Sequence, residues 1–97
     1  MEKLFWVYIL SNKRNGTLYI GVTSDLVKRI WQHKSEVIAG FTQKYSIKTL
    51  VYYEQHDHAE GAIQREKRLK DWKRPWKLAL IEKQNPSWRD LYEDIIA

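Results

Sequence analysis

The residues from Leu4 to Val22 constrain the fold of this chain more than any other stretch of the sequence. They contain two apolar runs, Leu4–Leu10 and Leu18–Val22, which are rich in the aromatic and β-branched side chains typical of strands. The polar segment between the runs ends in Asn15-Gly16, a pair that favours a tight turn because both residues accept a positive φ. The sequence therefore predicts a β-hairpin near the start of the chain.

The register of this hairpin decides which side chains share a face. A symmetric turn predicts that Ser11 faces Gly16 and that Tyr8 lies directly opposite Tyr19. Opposed residues have Cβ atoms ~5 Å apart on one face of a sheet, so the two phenols would lie side by side. Such a pair either stabilises the sheet alone or forms part of a functional site, and the pattern by itself favours the first interpretation.

The spacing of apolar residues predicts a helix after the hairpin, from about Ser24 to Glu36. Leu26 and Ile30 mark its buried side. Arg29 and His33 are four residues apart and therefore lie on one helix face, at the border between core and solvent. An ordinary surface arginine beside a histidine is the commoner interpretation of this pair.

The segment 39–48 has no regular period and is predicted to form an irregular loop that carries Lys44 and Tyr45. A third strand is predicted at Thr49–Gln55, with its side chains alternating between two faces. The sequence His56-Asp57-His58 contains metal-ligating residue types, but three consecutive residues cannot all converge on one ion from a regular element. Asp57 and Glu60 instead favour a helix-capping arrangement.

The helix predicted from His58 to Lys73 carries a carboxylate inside its apolar stripe. Glu66 lies four residues after Ala62 and three residues before Leu69. A carboxylate on an apolar face is costly unless it meets a cation or hydrogen-bond donors. Arg29 would make it half of a structural ion pair, whereas a divalent metal would make it a ligand, because Mg²⁺ takes oxygen ligands. The periodicity leaves both alternatives open.

The composition limits the partners and the compartment of the protein. With 17 Lys and Arg residues against 12 Asp and Glu residues, the net charge of +5 favours an anionic partner, most simply nucleic acid. The absence of cysteine excludes disulfides and thiolate zinc sites. No stretch approaches the ~18 apolar residues of a membrane span, and no signal-peptide pattern is evident. We therefore expect a cytoplasmic protein without a membrane partner.

The order of the predicted elements is ββαβ followed by helices. Pro75 suits the first turn of a further helix, and Asn85-Pro86 ends it. No linker, repeat or low-complexity segment interrupts the chain, so residues 1–97 are predicted to form a single domain. Its fold class is α+β, with a small, mostly antiparallel three-stranded sheet flanked by helices.

Taken in order, these motifs resemble those of the GIY-YIG nucleases. The two signature strands correspond to Trp6-Val7-Tyr8, in which Trp6 replaces the first motif glycine, and to the intact Tyr19-Ile20-Gly21. The match continues at four later positions: Arg29, His33, Glu66 and Asn85. The chain looks like the small, single-domain GIY-YIG proteins of bacteria over nearly its whole length.

The resemblance implies an endonuclease that hydrolyses phosphodiester bonds in DNA with one divalent ion, Mg²⁺ or Mn²⁺, and no small-molecule cofactor. It also implies a process such as DNA repair or recombination. In this interpretation Tyr8 and Tyr19 position water and transfer protons, and Arg29 binds a phosphate. The resemblance makes His33 a further catalytic residue and Glu66 the metal ligand.

Three residues are predicted to contact the nucleic acid around this site: Lys44, Tyr45 and Asn85. Two rival interpretations remain open at this stage. A catalytically silent nucleic-acid-binding module would use the basic charge and the aromatic residues without Glu66. A structural or protein-interaction domain would use Glu66 and Arg29 as a buried ion pair.

Overall fold

The computed structural model describes residues 3–38 and 40–97, which form three strands and five helices. Along the chain these are β1 (Phe5–Ser11), β2 (Leu18–Thr23), α1 (Leu26–Lys34), α2 (Phe41–Lys44), β3 (Thr49–His56), α3 (Ala59–Asp71), α4 (Arg74–Gln84) and α5 (Tyr92–Ile95). The sheet is antiparallel with the order β2-β1-β3, and helices flank it. The predicted α+β fold is confirmed. Among the described residues, no helix has the length and hydropathy of a membrane span.

The central strand β1 is buried on both of its faces. Val7 and Ile9 belong to a cluster that includes buried residues of α3 and α4, namely Ala62, Leu69 and Ile81. Tyr8 and Leu10 belong to a second cluster, which contains Leu26, Ile30 and Leu91. Because successive side chains of a strand point to opposite faces, one short strand supplies both cores, and this explains its continuous apolar run.

The predicted hairpin is present, but its predicted register is wrong by two residues. Tyr8 lies opposite Gly21, and Tyr19 lies opposite Leu10. Since the side-chain period of a strand is two, a shift of two residues changes the direct partner and keeps the face. Tyr8 and Tyr19 therefore remain on one face as diagonal neighbours, with ring centroids 6.3 Å apart.

The turn itself explains the shift. The Gly16 N–H donates to the carbonyl oxygen of Lys13 at 2.9 Å, and the Oδ1 atom of Asn12 accepts a hydrogen bond from the Thr17 N–H at 3.0 Å. Of the Asn15-Gly16 pair, Asn15 has a positive φ of 57°. Gly16 is needed for a different reason, because a Cβ atom there would collide with the Asn12 side chain. The turn is thus centred one residue later than predicted.

Two predictions about the middle of the chain are also wrong. The predicted loop contains the single helical turn α2, closed by a hydrogen bond from the Lys44 N–H to the carbonyl oxygen of Gly40 at 3.0 Å; Ala39 lies outside the described residues. One turn is too short to show a helical period in the sequence. The predicted capping by Asp57 does not occur, because the helix begins later and His58 occupies the N-cap position without a side-chain capping bond.

The third strand does not alternate regularly between the two faces of the sheet. Ile9 lies opposite Tyr52 and Leu10 lies opposite Leu50, so Val51 is an extra residue in β3. Such a bulge places consecutive residues on the same side. Val51 and Tyr52 accordingly both belong to the cluster under α3 and α4.

Asn85, at the C-terminal end of α4, is a buried connection between elements. Its side chain is only 2% exposed, and its Nδ2 group donates to the carbonyl oxygens of Val51 at 3.1 Å and Arg89 at 2.8 Å. Its Oδ1 atom accepts a hydrogen bond from the Arg89 N–H at 3.2 Å. Because the amide is engaged inside the protein, we assign Asn85 a structural role and leave it out of the nucleic-acid surface.

We expect Asn85→Ala to lower the free energy of unfolding by about 3 kcal/mol, because it leaves buried backbone groups without partners. The matched control is Gln84→Ala. Gln84 also bonds to the backbone of β3, at Tyr53, but it is exposed to solvent, so we expect a loss of about 1 kcal/mol or less. Urea denaturation measures both values, and equal losses would contradict the structural role.

Candidate active site

Three aromatic side chains from three different elements form a cluster beside the sheet. Tyr8 comes from β1, Tyr19 from β2 and His33 from α1. Their ring centroids are 6.3 Å apart for the two tyrosines, 5.8 Å for Tyr8 and His33, and 5.5 Å for Tyr19 and His33. Tyr8 and His33 are buried, whereas Tyr19 is half-buried at the edge of the cluster.

A chain of hydrogen bonds runs through this cluster. The Tyr8 hydroxyl lies 3.1 Å from Nε2 of His33, and Nδ1 of His33 lies 3.1 Å from the Oγ1 atom of Thr42 on α2. In a neutral imidazole one ring nitrogen donates and the other accepts. If His33 donates to one of its two partners, it therefore accepts from the other. Thr42 is 5% exposed, and nothing in the aperiodic segment around it signalled its burial.

Glycine at position 21 makes this arrangement sterically possible. It lies directly opposite Tyr8 in the register, and a Cβ atom there would lie 2.5 Å from the Cζ and hydroxyl oxygen atoms of Tyr8. The phenol of Tyr8 therefore crosses β2 at the one residue without a side chain. Gly21 belongs to the second motif, so the sequence contained a sign of this close approach. The predicted register nevertheless placed Tyr19, and not Gly21, opposite Tyr8.

Burial keeps both hydrogen-bonded partners neutral. Together with the weaker effect of the positive charge of Arg29, burial lowers the pKa of His33 to about 4. Burial also raises the pKa of the Tyr8 phenol above its usual range. The neighbouring Tyr19 and the negative charge of Glu66 raise this pKa as well, and the positive charge of Arg29 lowers it. At neutral pH the site thus holds a protonated phenol against an uncharged imidazole.

Arg29 is half-buried on α1 and lies at the rim of the cluster, where its charge acts on both Tyr8 and His33. It lines an open cavity of about 210 Å³ near the start of α1, together with Asp25 and Lys28. Within the described residues, its guanidinium group takes part in none of the side-chain ion pairs. A phosphate group can therefore use its donors.

Glu66 lies on α3, and its side chain is 16% exposed. Its Oε1 atom lies 3.4 Å from Nζ of Lys70, one helical turn later, and the lysine side chain is 53% exposed. The ion pair with Arg29 is not formed in the part of the chain that the structure describes. The structural alternative for Glu66 therefore loses its predicted partner.

The surroundings of Glu66 are compatible with a divalent metal that takes one carboxylate from the protein. Across residues 3–38 and 40–97, no group of three His, Cys, Asp or Glu side chains could enclose an ion. Mg²⁺ usually keeps several waters and takes one or two carboxylates together with substrate phosphates. A single half-buried carboxylate is consistent with that donor set, and Mn²⁺ accepts the same oxygen ligands.

The predicted nucleic-acid contacts Lys44 and Tyr45 lie at the end of α2, and both are exposed. Nζ of Lys44 is 5.4 Å from the ring centroid of Tyr45, and the ring of Phe41 is 4.9 Å from that of Tyr45. Phe41 is 49% exposed, and no pattern in the sequence singled it out. One short helix thus presents aromatic and basic groups outward while Thr42 contacts His33.

Comparisons with known proteins agree with the fold and the motifs. The family model of the GIY-YIG catalytic domain matches residues 4–79. A UPF0213 protein of Syntrophus aciditrophicus is 39% identical over 82 residues, which are 84% of this chain and 92% of that protein. A UPF0213 protein of Staphylococcus saprophyticus is 37% identical over 76 residues, or 78% of this chain and 92% of that protein.

One solved structure is similar over nearly its whole length. The solution NMR structure of a UPF0213 protein from Bacillus halodurans has a TM-score of 0.56 to this chain and 28% sequence identity. The match covers 90% of this chain and 92% of that chain. The arrangement of sheet and helices is therefore the one found in that relative.

We expect Gly21→Ala to lower the free energy of unfolding by about 1–3 kcal/mol, because the added methyl group forces the Tyr8 phenol to move. The bond between Tyr8 and His33 should break, which NMR of the His33 ring would detect. Gly61→Ala is the matched control, since its new Cβ meets only Nδ1 of His56, at 3.7 Å. In a helix that change should stabilise by about 0.5–1 kcal/mol. Retention of the Tyr8–His33 bond in Gly21→Ala would contradict the steric argument.

Proposed function

The chain belongs to the GIY-YIG nuclease family, and we propose that it is a metal-dependent endonuclease that hydrolyses phosphodiester bonds in DNA, with residues 1–97 acting as one domain. The observation that carries the proposal is the buried hydrogen-bonded chain from Tyr8 through His33 to Thr42. The charge of Arg29 suits a phosphate and that of Glu66 suits a metal, and both charges act on the phenol of Tyr8.

Phosphodiester hydrolysis needs an aligned water and a group that takes its proton. The raised pKa of Tyr8 makes its phenolate a minor species at neutral pH, so Tyr8 acts as a base only if it passes its own proton on. Nε2 of neutral His33, 3.1 Å away, accepts that proton as the phenol oxygen takes one from the water. Tyr19, half-buried beside both groups, orients the water.

Thr42 is a positioning residue in this scheme. When Nδ1–H of His33 donates to the Oγ1 atom of Thr42, the lone pair of the ring lies on Nε2 and faces Tyr8. The opposite tautomer would place a proton on Nε2 and could accept nothing from the phenol. We infer that the threonine hydroxyl accepts this bond and so stabilises the tautomer that the proton transfer requires.

Charge that develops on the phosphate oxygens is stabilised from two sides. The guanidinium of Arg29 offers a permanently charged fork that matches a phosphate. Glu66 would hold Mg²⁺ or Mn²⁺, and a bound divalent ion supplies Lewis-acid stabilisation of a phosphate oxygen. Lys44, Tyr45 and Phe41, which are exposed on and beside α2, would contact the DNA next to the cleaved bond.

The rival function is a nucleic-acid-binding module without catalysis. Incubation of the protein with a panel of labelled duplex, single-stranded and branched DNAs, in Mg²⁺, Mn²⁺ or EDTA, distinguishes the two. The proposal expects cleavage with either metal and none with EDTA. Binding in every condition without cleavage in any would establish the rival instead.

We expect Glu66→Gln to reduce cleavage by about a hundredfold or more, because the amide lacks the charge that holds the metal. The unfolding free energy should change by about 0.5 kcal/mol or less, since the partner of the carboxylate is the exposed Lys70. Lys70→Gln is the matched control, because it removes the same ion pair and spares the carboxylate. Cleavage rates and urea denaturation of both variants separate the two roles. If Glu66→Gln cleaves DNA at the rate of the parent protein, Glu66 is not the metal ligand.

We expect Thr42→Val to slow cleavage about tenfold or more, because a weakened base loses part of a general-base contribution. Thr42→Ser keeps a hydroxyl and should restore most of the rate, which a purely packing role would not explain. In a His33→Ala background, Thr42→Val should cause no further loss, since residues that act as one unit are not additive. Single-turnover rates of the five proteins test this, and additive losses would argue against it.

A further inference from the structure

We propose that an open groove beside the β1–β2 turn binds a backbone phosphate of the nucleic acid, away from the bond that is cleaved. The groove has a volume of about 580 Å³, and its polar lining consists of Asn12, Lys13, Asn15, Thr17, Arg74 and Lys77 besides backbone groups. Three of these side chains are cationic, and among the described residues neither Asp nor Glu belongs to the lining. The inference rests on the proposed function and assigns a second binding site to it.

Two of the three cations of the groove are held in place by the protein backbone. Nη2 of Arg74 donates to the carbonyl oxygens of Asn15 at 2.7 Å and Gly16 at 2.6 Å. A guanidinium has five N–H donors, so three of them are not used by these two bonds. Nζ of Lys77 donates to the carbonyl oxygen of Lys70 at 3.1 Å. Groups that are already ordered lose less conformational freedom when they bind a ligand.

Two side-chain contacts at the end of α3 connect the groove with Glu66 of the candidate active site. Glu66 pairs with Lys70, and the carbonyl group of Lys70 accepts the hydrogen bond from Lys77, which lines the groove. Four helical residues span about 6 Å along the axis, and successive phosphates advance about 3.4 Å per nucleotide along a duplex. A strand that runs from Glu66 along the end of α3 would therefore reach Lys77 within a few nucleotides.

The chemistry of the lining favours a phosphate over a base. Bases of single-stranded nucleic acid bind to proteins mainly by stacking on aromatic side chains. No aromatic residue in the described part of the chain lines the groove, and Leu18 is its apolar side chain. Lysine, arginine and amide donors are the groups that contact phosphate oxygens. The net charge of +5 is of the sign that a polyanionic partner requires.

The test is a pair of charge reversals in the groove, Lys77→Glu and Lys13→Glu, compared with Lys83→Glu. Lys83 lies on the same helix as Lys77 but does not line the groove, so it changes the net charge equally. Arg74 is left intact because it supports the turn. Binding to labelled 20-nucleotide DNA is measured by fluorescence anisotropy in EDTA at several salt concentrations.

We expect each groove variant to weaken DNA binding several-fold more than Lys83→Glu. The slope of log affinity against log salt should decrease by about 0.7–0.9 for each phosphate that the variant no longer neutralises. A short oligonucleotide that fills only the active site should not distinguish the three variants. If Lys77→Glu is unfolded by circular dichroism, Lys13→Glu decides, because its residue is exposed in the turn.

Equal affinities and salt slopes for the groove variants and Lys83→Glu would overturn the groove and leave the nuclease proposal intact if the parent cleaves DNA with Mg²⁺. The reverse outcome is equally informative. A selective effect of the groove variants, in a parent protein that never cleaves any DNA of the panel, would support the groove and reject the nuclease function.

Discussion

Burial of β1 on both faces is the constraint on which the rest of the structure depends. Its alternating side chains supply two cores, one under α3 and α4 and one under α1 and α5. Tyr8 is part of this strand, so its phenol is placed in a core and must find a hydrogen-bond partner there. The strand that organises the packing thereby also determines where the polar chemistry has to lie.

The polar chain of the candidate site follows from that burial step by step. The Tyr8 hydroxyl reaches Nε2 of His33, which is buried in turn, and Nδ1 of His33 reaches Thr42. Space for the phenol exists because Gly21 lies opposite it. Stability and proposed catalysis thus use the same contacts, since a network that satisfies buried groups also holds them in one geometry.

Low exposure and one nearby cation determine the charge states of the site. Burial opposes the phenolate of Tyr8 and the imidazolium of His33, so both partners stay neutral. The charge of Arg29 lowers the pKa of both groups. The charge of Arg29 therefore favours loss of a proton from the Tyr8 phenol and disfavours its retention on the His33 ring. Such a site passes a proton on and does not hold a stable phenolate–imidazolium pair. The carboxylate of Glu66 pairs with an exposed lysine, and its charge raises the pKa of the Tyr8 phenol.

The sequence by itself determined the hairpin, the α+β order and the common face of Tyr8 and Tyr19, because these depend on local propensity and on a period of two that survives a two-residue shift. Tertiary structure alone decided the direct partner of Tyr8, the extra residue Val51 in β3, and the burial of Thr42 against His33. It also decided the burial of Asn85 and its hydrogen bond to the carbonyl oxygen of Val51. Each of these depends on turn geometry or on contacts between residues far apart in the chain, and neither leaves a periodic signal in the sequence.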